Sequence, residues 1–167
     1  MLNGTTDRCL WMYDTFDGMS EPTDVDVDFQ GQTAQKLLQE QDRSDENSVW
    51  CCSPLEQVKL TMSNTGYPED QVRCIEGKVE QTLQFDVPDR VALLRLDTDW
   101  YESTRCELEY LFPRLVPGGV LIVDDYGHWE GCRRAVDEYF EQNQIAMLLH
   151  RIDYTGRIGI FCPTESK

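Results

Sequence analysis

The chain has 167 residues, 40% of them hydrophobic, and its 15 basic and 31 acidic residues give a net charge of −16. This length supports one domain with a hydrophobic core and is short for two. The strongly negative charge repels phosphate backbones and anionic lipids, so we expect neither nucleic acid nor a membrane surface as a partner.

The seven cysteines indicate a reducing compartment. They are odd in number and scattered, with no C-x-x-C pair and no cysteine–histidine spacing typical of a metal site. They are therefore typical of the reduced thiols of a cytoplasmic protein. The first residues, "MLNGTTDRCLWMYD", lack the basic and apolar regions of a signal peptide, and no stretch approaches the ~20 apolar residues of a membrane span.

The first half of the chain predicts two strands separated by loops and helices. A strand ending at Asp14 is predicted by the apolar run "RCLWMYD", and an acidic, turn-rich loop follows it. We expect residues 20–48 to be the least ordered part of the chain because they are polar, although a short helix could form at "TAQKLLQEQ". A helix with Ser53 as its N-cap, stopping near Gly66, is predicted by "SPLEQVKLTMSNTGY". The next strand is predicted by "QVRCIEG", and a short helix or loop by "KVEQTLQ".

The second half alternates strands and helices. A buried strand of the parallel-sheet type is predicted by "RVALLRLD", and a helix by "STRCELEYLFPRL", with Ser103 as its cap and the turn "VPGG" after it. A second buried strand, "VLIVDD", and a helix, "GCRRAVDEYFEQN", precede a terminal antiparallel hairpin formed by "MLLHRID" and "RIGIFCP". This alternation predicts a single domain over residues 1–167, of the α/β class, with a doubly wound, mostly parallel sheet.

Two pairs of acids stand where consecutive predicted strands end: Asp97 with Asp99, and Asp124 with Asp125. Ligands of doubly wound sheets bind beyond the carboxyl ends of the strands, and neighbouring parallel strands lie only about 4.8 Å apart. Carboxylates this close repel one another unless a cation lies between them, and an all-oxygen set suits Mg²⁺, with Ca²⁺ or Mn²⁺ as substitutes. The alternative is that each pair only ends its strand in a capped turn, which explains one pair more readily than two.

Three chemistries use acids in this arrangement. A haloacid dehalogenase-type phosphatase also ends a strand in D-x-D, but it needs a lysine before its later acidic pair, and none lies between Asp99 and Asp124. A metal-dependent glycosyltransferase uses D-x-D to hold a nucleotide sugar, which would explain only Asp97 and Asp99. Methyl transfer from S-adenosylmethionine to a metal-bound hydroxyl explains both pairs.

The segment from Leu93 to Phe140 carries a resemblance to a known family. Its motifs are "LDTDWYEST", "PRLVPGG", "VDDY" and "GCRRAVDE", and upstream of them lie "YDTFDGMSEP" and "CIEGKVEQTL". In this order they resemble the macrocin O-methyltransferase, or TylF, family of metal- and S-adenosylmethionine-dependent sugar O-methyltransferases. The resemblance covers nearly the whole chain, and it implies a Rossmann-like methyltransferase sheet and a small-molecule hydroxyl acceptor.

The resemblance also implies roles for individual residues. It implies that Asp97, Asp124 and Asp125 hold the metal, and that Asp99 is the general base on the acceptor hydroxyl. His128 could assist as a second base, although a loop histidine is more often a surface or helix-cap residue. The expected cofactor-binding residues lie at or after the ends of predicted strands: Asp14 for the ribose hydroxyls, Lys78 and Val79 for the adenine, and in addition Gly77 and Thr98.

The beginning of the chain departs from the family pattern. The family has a glycine-containing cofactor loop upstream of the segment that resembles "YDTFDGM", whereas here 13 residues precede Asp14. We therefore expect an N-terminally truncated sheet that is open between the strands ending at Asp14 and Asp97. Weak or no cofactor binding and self-association into a homo-oligomer should follow. The alternative from another class is a truncated, non-catalytic remnant.

Overall fold

The computed structural model describes residues 7–45 and 47–163. The strands are β1 (Leu10–Asp14), β2 (Val72–Glu76), β3 (Val91–Leu96), β4 (Leu115–Val123), β5 (His150–Arg151) and β6 (Arg157–Ile160). The helices are α1 (Ala34–Glu40), α2 (Leu55–Asn64), α3 (Val79–Thr82), α4 (Tyr101–Leu111) and α5 (Glu130–Gln142). The predicted alternation of strands and helices is confirmed. None of the helices in these residues is long and apolar enough to cross a membrane.

The strands form two sheets. β1 and β2 pair in parallel as one sheet, and the other has the order β3-β4-β6-β5. Within the described residues no ladder joins β1 to β3, so the structure is open at the place where the sequence predicted an open centre. The last two strands pair in antiparallel fashion, as expected for the terminal hairpin, although β5 is only 2 residues long.

The ladder between β3 and β4 is parallel, as predicted, and it aligns the ends of the two strands. Leu96 pairs with Val123 at its last position. The segment "VPGG", predicted as a turn, is instead part of β4. Gly118 has a φ of +79° there, and its N–H donates to the carbonyl of Phe161 at 2.8 Å. The glycine allows the irregular register at the start of the ladder, so the strand continues where a turn was expected.

The hydrophobic core lies where α4 and α5 pack together against the larger sheet. Leu108, Leu121 and Val136 are fully buried within it. Trp100 and Trp129, each directly before one of these helices, pack edge to face with their ring centroids 4.8 Å apart. The starts of both helices are therefore held next to the carboxyl ends of β3 and β4.

Residues 20–48 are more ordered than the sequence predicted. They contain α1, and the fully buried Asp26 accepts a hydrogen bond from the N–H of Tyr101 at 2.7 Å. The Trp100 indole donates to the carbonyl of Ser20 at 2.9 Å. A carboxylate at a helix N-terminus satisfies a free N–H and interacts favourably with the helix dipole. The polar segment is thus tied to α4 by the side chain of an acid.

Both predicted N-caps are wrong. α2 begins after Pro54 and has no side-chain cap, so Ser53 does not fill this role. The Ser103 hydroxyl lies inside the first turn of α4, where it donates to the carbonyls of Thr98 and Trp100 at 3.1 Å. The free N–H of α4 is instead satisfied by Asp26, a partner distant in sequence.

Candidate active site

Four acids lie just beyond the ends of β3 and β4. Because Leu96 and Val123 are paired, the residues that follow them leave the sheet at the same level. The N–H of Asp124 extends this ladder by donating to the carbonyl of Leu96 at 3.0 Å. The sheet register therefore brings Asp97 and Asp124 side by side, with Asp99 and Asp125 in the loops beyond.

Three of the four acids converge. Asp97, Asp99 and Asp125 each place one carboxylate oxygen so that these oxygens all lie within 4.8 Å of one another. Asp99 has a φ of +65°, in the left-handed region that aspartate enters more readily than most residues. Such backbone conformations are concentrated at functional sites. We name Asp97, Asp99 and Asp125 the acid cluster.

Asp124, the fourth acid, is paired with Arg95 of β3. Its Oδ2 accepts from the guanidinium at 2.8 Å, and the same guanidinium reaches Oδ2 of Asp97 at 2.9 Å. The acids that converge in the structure therefore differ from the predicted metal ligands at one position: Asp99 is in the converging set, and Asp124 is in the predicted one.

Burial and mutual contact favour the protonated forms of the acid cluster. Burial and hydrogen bonding with Asp124 raise the pKa of Asp97 to about 7, against the opposing charge of Arg95. Burial, followed by the charge and hydrogen bonding of Asp125, holds the pKa of Asp99 well above its usual range. Burial also raises the pKa of Asp125. Such a group holds protons unless a cation compensates its charge.

The donor chemistry of the acid cluster fits a hard divalent cation. It offers only carboxylate oxygens, which Mg²⁺, Ca²⁺ and Mn²⁺ prefer over nitrogen and sulfur. Cys51 lies near enough for the charges of Asp99, Asp125 and Asp97 to raise the pKa of its thiol, after burial as the larger cause. Sequence reasoning missed Cys51, because its segment precedes the motifs by more than forty residues and no local pattern points to the acids.

His128 borders the acid cluster through its backbone. Its N–H donates to the carbonyl of Asp125 at 3.0 Å, while its ring Nδ1 contacts the hydroxyl of Tyr154. The ring also packs against Phe29 and Trp129. Phe29 and Tyr154 are more than half exposed, so an aromatic surface lies beside the acids. No sequence pattern predicts this surface, since its members come from three separate loops.

The residues predicted to bind the cofactor lie at the ends of β1, β2 and β3. Asp14 accepts a hydrogen bond from the N–H of Phe16 at 2.7 Å, and its own carbonyl accepts from Gly77 at 2.9 Å. This backbone hydrogen bond links the end of β1 to the turn after β2, in which Gly77 adopts a φ of +137°. Lys78 directly precedes α3 and is exposed.

Two of these predicted cofactor residues have other partners. The side chain of Val79 is 4% exposed and belongs to the hydrophobic core, and the predicted contact of this segment with the adenine stays a prediction. The Thr98 hydroxyl donates to Oε2 of Glu107 at 2.9 Å. Asp14, Gly77 and Lys78 lie together on the smaller sheet, and the cofactor roles of all five residues stay predictions.

The two sheets, their helices and the acids at the strand ends define a Rossmann-like α/β methyltransferase fold. A solved structure, the O-methyltransferase NovP, aligns with 94% of this chain and 61% of its own, at 34% identity and a TM-score of 0.74. The chain belongs to the macrocin O-methyltransferase (TylF) family, whose model matches residues 1–158. The calicheamicin methyltransferase CalS11 shares the fold at 17% identity and a TM-score of 0.64, over 95% of this chain and 62% of its own.

Curated relatives carry specific names. The 8-demethyl-8-(2,3-dimethoxy-alpha-L-rhamnosyl)-tetracenomycin-C 4'-O-methyltransferase of Streptomyces olivaceus is 40% identical over 154 residues, which are 92% of this chain and 55% of that protein. The demethyldecarbamoylnovobiocin O-methyltransferase of Streptomyces niveus is 37% identical over 150 residues, 90% of this chain and 54% of that protein. The chain thus spans about half the length of the curated relatives that it matches.

Proposed function

We propose that the chain is part of an O-methyltransferase that uses S-adenosylmethionine and a divalent cation, and that it provides the acceptor and metal side together with contacts to the ribose and adenine of the cofactor. The observation that carries this proposal is the convergence of three carboxylate oxygens within 4.8 Å at the ends of neighbouring parallel strands. Family membership supports methyl transfer over the glycosyltransferase and phosphatase alternatives. We further propose a sugar hydroxyl as acceptor, because the name of the Streptomyces olivaceus relative specifies a rhamnosyl group.

The cation would be held by Asp97 and Asp125 of the acid cluster, together with Asp124 at the end of β4. A bound Mg²⁺ would make the acceptor hydroxyl more acidic, and S-adenosylmethionine would supply the methyl group. The chain's own contribution is to fix these carboxylates on a rigid ladder, where the pairing of β3 with β4 determines their spacing. Rigid positioning of reacting groups is a large part of the catalysis of a transfer reaction.

Asp99 is the proposed general base. Its left-handed backbone turns its carboxylate back into the acid cluster, so it lies beside the proposed ligands. From there it accepts the proton of the acceptor hydroxyl as the oxygen attacks the methyl group. His128 is the second candidate, but its Nδ1 already contacts Tyr154, which leaves Asp99 the better placed.

The cofactor side of the proposal rests on the end of β1 and the turn after β2, which are linked by the hydrogen bond from the Gly77 N–H to the Asp14 carbonyl. Asp14 would accept hydrogen bonds from the ribose hydroxyls, as acids at strand ends do in nucleotide-binding sheets. Gly77 and Lys78 lie beside Asp14 and would contact the adenine. These residues would orient the cofactor towards the larger sheet.

The open strand edges support a proposal of self-association. Leu93 of β3 is 59% exposed, and Leu10 of β1 is 37% exposed. An exposed strand edge with apolar side chains readily pairs with another chain. We therefore propose a homo-oligomer, which sedimentation velocity would detect as a species heavier than the 19.4 kDa chain. A monomer at all concentrations would contradict this proposal.

Three matched aspartate-to-asparagine variants test the site. Asp125→Asn should weaken Mg²⁺ binding in calorimetry at least tenfold, whereas Asp99→Asn should leave it within a few fold. In a longer protein that carries the glycine-containing cofactor loop, Asp99→Asn should also abolish methyl transfer to a rhamnoside acceptor. Asp89→Asn is the control, because Asp89 is exposed and precedes β3 at the end opposite the acid cluster. Unchanged Mg²⁺ binding by Asp125→Asn would refute the site, and residual transfer above a tenth of wild type in Asp99→Asn would reassign the base.

A further inference from the structure

Arg95 bridges two acids on neighbouring strands. Its Nη1 lies 2.9 Å from Oδ2 of Asp97, and its Nη2 lies 2.8 Å from Oδ2 of Asp124. Arg95 and Asp97 are two residues apart, so the strand places both side chains on one side. The guanidinium therefore spans the ends of β3 and β4 at the edge of the acid cluster.

This bridge accounts for the position of Asp124. The oxygens that converge belong to Asp97, Asp99 and Asp125, while the carboxylate of Asp124 points to the guanidinium. A guanidinium and a divalent cation prefer the same carboxylate oxygens. An arginine stays charged at all ordinary pH values, so it can release these oxygens only by moving.

The side chain of Arg95 has room to move. It is half-exposed, and its two ion pairs are with carboxylates that are themselves 43% and 39% exposed. Exposed ion pairs contribute little to the stability of a fold. The consequence of the bridge should therefore appear in cation affinity more than in folding.

We propose that Arg95 is a built-in competitor for the cation: it neutralises Asp97 and Asp124 until a divalent cation displaces it and takes both carboxylates. The inference rests on the metal site of the proposed function and adds a residue that opposes metal loading. The proposal predicts the direction in which Mg²⁺ affinity changes when Arg95 is replaced. A residue that merely supports the site would weaken Mg²⁺ binding when removed. A competitor strengthens binding when removed.

Calorimetric titration with Mg²⁺ of the wild-type chain, Arg95→Ala and Arg95→Gln tests this sign. A single charge about 5 Å from a divalent cation opposes its binding by roughly tenfold even in a water-like dielectric, so both variants should bind Mg²⁺ roughly tenfold more tightly. Titrations are run at pH 8 to limit competition from protons for the carboxylates. Arg95→Gln keeps a polar side chain of similar length, and near-ultraviolet circular dichroism confirms its fold.

Arg105→Ala is the matched control. Arg105 also bridges two carboxylates, those of Glu102 at 3.2 Å and Glu109 at 2.8 Å, on the surface of α4. Its loss changes the net charge equally and should alter Mg²⁺ affinity less than twofold. A similar gain in Arg105→Ala would show a general charge effect and overturn the proposal.

A double-mutant cycle locates the competition. If Arg95 acts through Asp124, then Asp124→Asn should weaken Mg²⁺ binding more in the Arg95→Gln background than in wild type. Equal or weaker binding by both Arg95 variants would overturn the competition while leaving the metal site intact. Absence of Mg²⁺ binding in the wild type and in both variants would overturn the metal site as well, so the two failures are distinguishable.

Discussion

Replacing Glu107 with glutamine should remove a large part of the pH dependence of stability. Glu107 lies on α4, is 5% exposed, and accepts a hydrogen bond from the Thr98 hydroxyl at 2.9 Å. Burial raises the pKa of Glu107 from 4.5 to about 8, although the Thr98 hydrogen bond opposes the rise and the charge of Asp97 adds to it. The folded protein therefore favours the neutral form of this carboxyl group.

The direction in which stability changes with pH follows from the direction in which the pKa of Glu107 is shifted. Because the pKa is raised in the folded state, the stability contributed by Glu107 is fully present below pH 4.5 and is lost as the pH rises through about 8. Between these two pKa values, raising the pH by one costs about 1.4 kcal/mol per titrating group, so this residue should cost the wild type roughly 2 to 3 kcal/mol between pH 5.5 and 7.5. Glutamine does not titrate, and its carbonyl can still accept from Thr98.

Urea unfolding at pH 5.5, 6.5 and 7.5, followed by tryptophan fluorescence, measures this slope. The difference in unfolding free energy between Glu107→Gln and the wild type should grow over this range by roughly 2 to 3 kcal/mol in favour of the variant. The raised pKa values in the acid cluster affect both proteins, so most of the difference comes from Glu107 and the remainder from its interaction with the charge of Asp97. Glu109→Gln is the control, because Glu109 is on the same helix but half-exposed and paired with Arg105. Parallel stability curves for wild type and Glu107→Gln would refute the assignment of a buried, neutral carboxyl.

Three further predictions concern packing and the cofactor side. Gly131→Ala would place a Cβ 1.9 Å from Oδ1 of Asp26, so the carboxylate that caps α4 would have to move. Urea unfolding should show a loss of about 2–3 kcal/mol in the free energy of unfolding, and an unchanged midpoint would show that the Asp26 carboxylate is not held rigidly. Leu121→Ala removes a fully buried side chain from β4 and should lower the free energy of unfolding by about 2–5 kcal/mol in the same assay. Leu148→Ala, at a position 72% exposed, is the control and should lower it by well under 1 kcal/mol; equal losses would contradict the assignment of Leu121 to the core. In a longer protein that carries the glycine-containing cofactor loop, Asp14→Asn should weaken S-adenosylhomocysteine binding in calorimetry by roughly 10- to 100-fold, because a charged hydrogen-bond acceptor is lost; equal affinity would place the ribose elsewhere.

The sequence predicts the elements of this fold well because their signals are local. The apolar runs that end at Asp14, Asp97 and Asp124 are read directly from the chain, and so is the parallel pairing of the last two. The open centre is also predictable, since the expected order places a strand between β1 and β3 that none of the apolar runs supplies. Each of these inferences needs only a pattern within a few residues or a count of strands.

The errors arise where one side chain reaches across the structure. Asp26 looks like one acid in a polar loop, yet it is fully buried and holds the N–H of Tyr101, 75 residues away. Arg95 looks like a charged residue in a strand, yet it joins the carboxylates of two strands. Neither partner can be identified from neighbouring residues, because the pairing depends on which strand ends and helix starts the fold brings together.

Because the strands form two sheets, the distance between the proposed cofactor side and the acid cluster depends on how far apart β1 and β3 lie. Asp14 ends a strand of the smaller sheet, and Asp97 ends a strand of the larger one. One strand inserted between β1 and β3 would set them two backbone spacings apart, about 9.6 Å, because interstrand hydrogen bonds fix each spacing near 4.8 Å. Reacting atoms must approach within about 3.5 Å, and an error of about 1 Å can cost roughly a hundredfold in rate. If the donor and the acceptor bind at Asp14 and at Asp97 as proposed, a polypeptide that pairs with both open edges would fix the separation between them through the hydrogen bonds of its backbone.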